Sequence, residues 1–167
     1  LTIGYQMVRP MVARHGMTPA EATARAKDLL SQVGIADPDR TMRAYPHQIS
    51  GGMAQRVLIA GAVAPKPALL VADEPTTALD VTVQADVLDV LRDLQQKNDM
   101  AMLLVTHNFG VVADLCDRVA VMRDGVIVEE GDVRTVLKDP QHPYTQQLLS
   151  ASLIGRERHQ TTTEERG

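Results

Sequence analysis

Four apolar residues and then two carboxylates make up the stretch Leu69-Leu70-Val71-Ala72-Asp73-Glu74. A short apolar run of this kind is typical of a parallel strand that is buried on both faces. Ligands of open α/β sheets bind at the carboxyl ends of strands, where Asp73 and Glu74 stand. The stretch therefore predicts an α/β fold with a candidate site at this end of the sheet. A strand that ends in a solvated acidic turn is the alternative.

A second apolar run follows at residues 100–105, after a segment from Val81 to Asn98 in which apolar residues recur at helical spacing. Strand, helix and strand in this order predict a right-handed parallel crossover, so we expect the two strands to end side by side. The second strand is followed by Thr106-His107, and we therefore expect His107 to lie near Asp73 and Glu74. A histidine with a purely structural role is the alternative.

The segment before the first strand is predicted to be mainly helical. One helix is opened by a capping box with Pro at its first position, Thr18-Pro19-Ala20-Glu21, and Gly34 is expected to end it. A loop is predicted at Asp37-Pro38-Asp39. Another helix is predicted to follow Ser50-Gly51-Gly52 and to run to about Ala64.

The glycine pair at the start of that last helix is a candidate anion site. Glycines leave backbone N–H groups accessible, and the helix dipole adds positive potential. The Ser50 hydroxyl can cap the helix and also donate a hydrogen bond to an anion. An ordinary capped turn is the alternative, just as Asp80 could simply cap the helix that begins at Val81.

The rest of the chain is predicted to form a hairpin and short helices. Apolar runs at residues 118–122 and 126–129 flank Asp124-Gly125, which is a strong hairpin signal. Apolar residues then mark helices near residues 133–137 and 144–149.

Composition narrows the functional classes. The net charge of -4 argues against a broad nucleic-acid-binding surface, because such a surface is basic. With three Tyr, one Phe and no Trp, the core must be aliphatic. The single cysteine, Cys116, cannot form an internal disulfide, which suits a reducing compartment. The sequence has no apolar run long enough to span a membrane and no signal-peptide pattern at its start.

Together these elements resemble the ATP-binding subunits of ABC transporters. Ile49-Ser50-Gly51-Gly52-Met53 looks like the signature motif, usually Leu-Ser-Gly-Gly-Gln. The stretch 69–74 looks like the Walker B strand with its catalytic glutamate, Thr77-Ala78-Leu79-Asp80 looks like the D-loop, and His107 looks like the switch histidine. The resemblance implies an ABC-type P-loop ATPase core with an inserted α-helical subdomain.

The resemblance also implies a role for each residue toward ATP and Mg²⁺. Asp73 is expected to hold Mg²⁺ through water, Glu74 to polarise the attacking water, and His107 to contact that water or the γ-phosphate. Asp80 belongs to the D-loop. The signature residues are expected to bind the nucleotide of a second ATPase subunit; they are Ser50, Gly51, Gly52, Met53 and Gln55.

Finer similarity is to the importers of dipeptides, oligopeptides and nickel, over about residues 1 to 153. It is carried by Tyr45-Pro46-His47, by the stretch from Asp73 to Ala85, and by His142-Pro143-Tyr144-Thr145. In that branch the last element begins a C-terminal extension that often carries iron–sulfur cysteines, and no such cysteines follow here. The sequence departs from the family at Met53, where Gln is usual, and at Asn108, where Asp is common.

The phosphate-binding Walker A loop, G-x-x-x-x-G-K-[S/T], does not occur in this sequence. In the family this loop and the glutamine loop precede the helical subdomain, so we expect both to lie before Leu1 in a longer reading frame. The core is therefore expected to be partial. The expected segments are a helical subdomain at 1–66, a Walker B, D-loop and switch-histidine segment at 67–131, the start of an extension at 132–155, and a disordered tail at 156–167.

The resemblance implies an ATP-hydrolysing subunit that energises uptake of peptides or nickel. Its implied partners are a second ATPase subunit and membrane-spanning permease subunits, on the cytoplasmic face of the inner membrane, with no nucleic acid. A soluble, non-transport ATPase of an enzyme complex such as phosphonate breakdown is one alternative. An inactive folding or pairing module that binds ATP poorly is the other.

Overall fold

The computed structural model describes residues 1–76 and 80–151, apart from the side chains of residues 81 and 82. The chain divides into two compact units, one from Leu1 to Val105 and one that begins at Thr106. The predicted tail at 156–167 and three residues of the predicted D-loop lie outside the described residues. Within the described residues, no helix is both long and apolar enough to cross a membrane.

Four helices begin the first unit: α1 (Ile3–His15), α2 (Pro19–Gln32), α3 (Pro38–Arg43) and α4 (Gly51–Val63). The predicted capping box is present at α2, because the Thr18 N–H donates to Glu21 Oε2 at 2.8 Å and the Glu21 N–H donates to Thr18 Oγ1 at 3.3 Å. The apolar face of α2 is buried in an aliphatic core. That face contains Ala22, Ala26, Leu29 and Leu30.

The prediction of a loop at residues 37–39 was wrong, because α3 begins there. The Asp37 carboxylate accepts the Arg40 N–H at 2.9 Å and caps the helix. Pro38 occupies the first helical position, where its missing N–H and fixed φ favour a helix start. Asp-Pro is thus a helix-start signal here. It suits a loop equally well, and the three residues alone do not show the helix that follows.

A parallel crossover completes the first unit, as predicted. Its elements are β1 (Leu69–Asp73), α5 (Val81–Asn98) and β2 (Ala101–Val105). The two strands are parallel and in register from the pair Leu69 and Ala101 to the pair Asp73 and Val105. Their carboxyl ends therefore lie side by side.

Burial of β1 on both faces was a wrong prediction. Leu70 and Ala72 are buried, whereas Leu69 and Val71 are 52% and 57% exposed. Leu103 on β2 is also more than half exposed, at 53%. The core packs against one face of the two-stranded sheet, and the described elements leave the apolar side chains of the other face accessible to solvent.

The second unit contains α6 (Phe109–Leu115), β3 (Arg118–Arg123), β4 (Val126–Asp132), α7 (Val133–Lys138) and a last helix, α8, described over residues 143–151. The predicted hairpin is confirmed, since β3 and β4 are antiparallel. Asp124 and Gly125 join them with φ of 51° and 81°, as a type I′ turn requires. The two helices predicted after the hairpin are confirmed as α7 and α8.

The start of α8 is fastened to β4 through Glu129. This carboxylate accepts the Gln141 N–H at 2.7 Å and the His142 N–H at 3.1 Å. The Thr145 hydroxyl and these backbone N–H groups lower the pKa of Glu129. The Arg123 guanidinium also stacks over the Tyr144 ring at 4.8 Å from its centroid. The His-Pro-Tyr-Thr element therefore has a structural role within the second unit.

We predict that Glu129→Gln loosens the start of α8 at neutral pH. Because the folded-state pKa lies below the ordinary value of 4.5, the stabilisation is present above that pH and is lost as the pH falls through the folded pKa. Amide hydrogen exchange of residues 141–151 should therefore be faster than in the native protein at neutral pH, and the difference should shrink in acid. Glu130→Gln, on the exposed neighbouring carboxylate, is the matched control; equal effects of the two variants would contradict the prediction.

Candidate functional site

Helix α4 begins as the sequence predicted. Ser50 is its N-cap, and its hydroxyl oxygen accepts the Met53 N–H at 3.3 Å. The first N–H groups of a helix have no acceptor within the helix, so those of Gly51 and Gly52 are suited to an external anion. Gly51 is exposed and Gly52 and Met53 are half-buried. This arrangement fits a phosphate oxygen and equally satisfies the helix start.

The two glycines meet different surroundings. A Cβ built on Gly51 would have no heavy atom within 4 Å, whereas one built on Gly52 would lie 2.8 Å from Val83 Cγ1. Val83 is β-branched and stiff on its helix, so it cannot easily move away. Gly52 is thus required by the packing of α4 on α5, and Gly51 is left open on its outer side.

The two carboxylates follow each other at the end of β1. Asp73 is its last residue and is exposed, and Glu74 is half-buried. Glu74 has a φ of 46°, in the left-handed region that non-glycine residues seldom occupy. Its N–H donates to the Val105 carbonyl at 2.8 Å, which extends the pairing of the two strands by one bond. Backbone strain of this kind is frequent at functional sites.

Side chains from α4 and α5 hold the residues that follow Glu74. Gln55 Nε2 donates to the Pro75 carbonyl at 2.7 Å, and Gln84 Nε2 donates to the Thr76 carbonyl at 3.2 Å. The sequence did not predict these bonds. The available signal was that Gln55 follows Gly52 at helical i, i+3 spacing and so shares its face.

Asp80 caps α5, which agrees with the alternative that this residue simply caps the helix beginning at Val81. Its carboxylate accepts the Val83 N–H at 2.9 Å. The other residues of the predicted D-loop, at positions 77–79, lie outside the described residues. A further role for Asp80 toward a nucleotide stays a prediction.

His107 belongs to the second unit, directly before the start of α6. The next residue, Asn108, caps α6 by accepting the Gly110 and Val111 N–H groups at 3.0 and 3.4 Å. Asp is an equally good cap, so the departure from Asp to Asn keeps this local structure. The expected proximity of His107 to the carboxylates stays a prediction.

The donor set suits a magnesium ion that is also held by a nucleotide. Within the described residues, no group of three or more His, Cys, Asp or Glu side chains could hold a metal ion. Mg²⁺ is commonly bound through one or two carboxylates together with phosphate oxygens and water. The exposed carboxylate of Asp73, at the end of a parallel strand, fits that mode of binding.

Comparisons with known proteins agree on one family. Residues 3–77 match the ABC transporter family. The chain is 49% identical over 150 residues to the dipeptide transport ATP-binding protein DppD of Escherichia coli, and 51% identical over 158 residues to the peptidoglycan transport ATP-binding protein YejF of Agrobacterium fabrum. These alignments cover 90% and 95% of the chain but 46% and 29% of the relatives. The chain thus spans less than half of their length.

A solved structure has the same fold. It is the ATP-binding cassette MJ0796 in a dimeric post-hydrolysis state bound to ADP and phosphate. The TM-score is 0.67 with 30% sequence identity, over 80% of this chain and 57% of that one. The fold is therefore that of an ABC-type ATPase core, as predicted.

We predict opposite outcomes for alanine at the two glycines. Gly52→Ala forces a clash with Val83, and overpacking of this kind costs about 1–3 kcal/mol. Gly51→Ala meets open space and gains helix propensity, so its stability should be unchanged or slightly higher. Urea unfolding of the two variants, with Gly51→Ala as the matched control, should show only Gly52→Ala destabilised; equal stability would mean that α4 and α5 do not pack as described.

Proposed function

Because this chain belongs to the ABC transporter family, we propose that it is part of an ATP-hydrolysing subunit that energises the uptake of peptides across the cytoplasmic membrane. One observation carries the proposal. A single compact unit holds both a helix start suited to a phosphate and two carboxylates at the end of a parallel strand, and the Gln55–Pro75 hydrogen bond joins the two.

The chemistry divides between these two places. Ser50, Gly51, Gly52 and Met53 bind the terminal phosphate of an ATP molecule that a second ATPase subunit holds. Asp73 and Glu74 act on the ATP of their own subunit. There Asp73 would hold Mg²⁺, which when bound neutralises charge on the phosphate oxygens. Glu74 orients the attacking water and takes its proton.

The remaining predicted residues act around this reaction. His107 contacts the attacking water or the γ-phosphate. Asp80 contributes to the interface between the two ATPase subunits. ATP closes the pair of subunits, and hydrolysis reopens it.

Transport requires partners beyond this chain. The helical segment from α1 to α4 docks on membrane-spanning permease subunits at the cytoplasmic face of the membrane, and the second ATPase subunit is a copy or a related chain. The names of the relatives support peptides as the solute, since they include a dipeptide transport protein and the glutathione import protein GsiA of Salmonella paratyphi A, 49% identical over 150 residues. Those names also favour transport over phosphonate breakdown, and nickel as the solute stays a prediction.

The function is tested most directly at Glu74. In a full-length subunit that contains this chain, Glu74→Gln keeps the size of the side chain but removes the base. We predict that ATP still binds while hydrolysis falls by about 10²-fold or more. The measurements are steady-state ATP hydrolysis and equilibrium binding of labelled ATP.

Glu130→Gln, a carboxylate lost from an exposed position on β4, is the matched control and should keep full activity. Undiminished hydrolysis in Glu74→Gln would refute the assignment of the base. Hydrolysis that is blocked without any effect on dipeptide uptake by the assembled transporter would refute the transport role.

A further inference from the structure

Gln55 connects the signature helix to the residues that follow the catalytic carboxylate. Its Nε2 donates to the Pro75 carbonyl at 2.7 Å, across 20 residues of sequence. Pro75 is buried, and Gln55 is half-buried. Water competes less for the donor and acceptor of a shielded hydrogen bond than for those of an exposed one, so the shielded bond keeps its geometry better.

The segment from Glu74 to Thr76, here called the carboxylate turn, is fastened by three different elements. The Glu74 N–H bonds to Val105 of β2, Gln55 of α4 bonds to Pro75, and Gln84 of α5 bonds to Thr76. Glu74 holds an unfavourable left-handed conformation, with φ of 46°. Such a conformation persists only where the surroundings fix it. The position of the Glu74 backbone therefore depends on these bonds.

The part of α4 that carries Gln55 is itself fixed in place. One residue further along α4, Arg56 pairs with Asp86 of α5 at 2.7 Å and donates to the Val33 carbonyl of the α2 C-cap at 3.2 Å. Near the start of the helix, Gly52 lies against Val83 with no room for a Cβ. The α4 helix is thus held against α5 on both sides of Gln55, and a shift of α4 would be transmitted through Gln55 to Pro75.

We propose that Gln55 is a positioning residue, which makes the start of α4 and the carboxylate turn move as one body. The proposal rests on the function proposed above. There, the start of α4 meets an ATP held by the partner subunit, whereas Glu74 acts on the ATP of its own subunit. The Gln55–Pro75 bond then links contact at one nucleotide to the placement of the base at the other.

The sequence predicted that Gln55 contacts the partner's nucleotide, and the two roles have different kinetic signatures. A nucleotide contact chiefly changes the affinity for ATP, whereas a positioning residue chiefly changes the turnover of bound ATP. A misplacement of a catalytic group by about 1 Å costs on the order of 10²-fold in rate. The side-chain amide has two N–H groups and one carbonyl oxygen, so Leu removes every polar contact while Glu removes only the donors.

The experiment compares Gln55→Leu and Gln55→Glu in the full-length subunit assembled with its transporter partners. We expect kcat for ATP hydrolysis to fall by about 10- to 100-fold in both variants, with KM for ATP changed by less than about twofold. Gln96→Leu is the matched control, because Gln96 is exposed and lies near the opposite end of α5 from Gln84. That variant should behave as the native protein.

Three results would overturn the proposal. The first is an unchanged kcat in both variants, and the second is a raised KM with kcat preserved. The third is a loss of kcat in both variants that is fully accounted for by a smaller folded fraction, as measured by thermal unfolding. The Glu74→Gln result separates this proposal from the function itself. If Glu74→Gln blocks hydrolysis and the Gln55 variants do not, only the role of Gln55 is refuted, whereas full activity of Glu74→Gln refutes the proposed function.

Discussion

The in-register parallel pairing of β1 with β2 is the constraint on which the site depends. It places Asp73 opposite Val105, and one more bond, from the Glu74 N–H to the Val105 carbonyl, carries the pairing past the end of the strand. The chain must then leave the sheet immediately, and Glu74 does so with a left-handed φ. A carboxylate placed in this way lies at the edge where ligands of α/β sheets bind.

Local interactions account for the parts of the fold that the sequence predicted well. The capping box at Thr18, the cap at Asp80 and the Asp124-Gly125 turn each use hydrogen bonds or φ values within a few residues of one another. Such features can be predicted because a short segment contains all the residues that take part in the interaction. The loop predicted at 37–39 failed for a related reason, since Asp-Pro suits both a turn and a helix start and only the following residues decide between them.

Burial and side-chain contacts across elements could not be predicted in the same way. An apolar run such as residues 69–72 shows that a strand is apolar, but the elements packed on each face determine which side chains are buried. Here Leu70 joins the core while Val71 is more than half exposed. The Gln55–Pro75 bond likewise depends on how α4 packs beside the end of β1, and no pattern within either segment specifies that packing.

The signature motif can be recognised from the sequence, but the sequence does not show the physical role of each of its residues. Gly51 and Gly52 are identical in the sequence, yet one has open space beside it and the other is pressed against Val83. Ser50 caps its helix with the hydroxyl oxygen, which leaves the hydroxyl hydrogen available for a phosphate. The same few residues therefore satisfy the packing of α4 and the start of the helix, and in the proposed function they also bind an anion. Because one motif would meet all three demands, a loss of function in a variant does not identify which demand failed. Stability must therefore be measured beside activity to separate them.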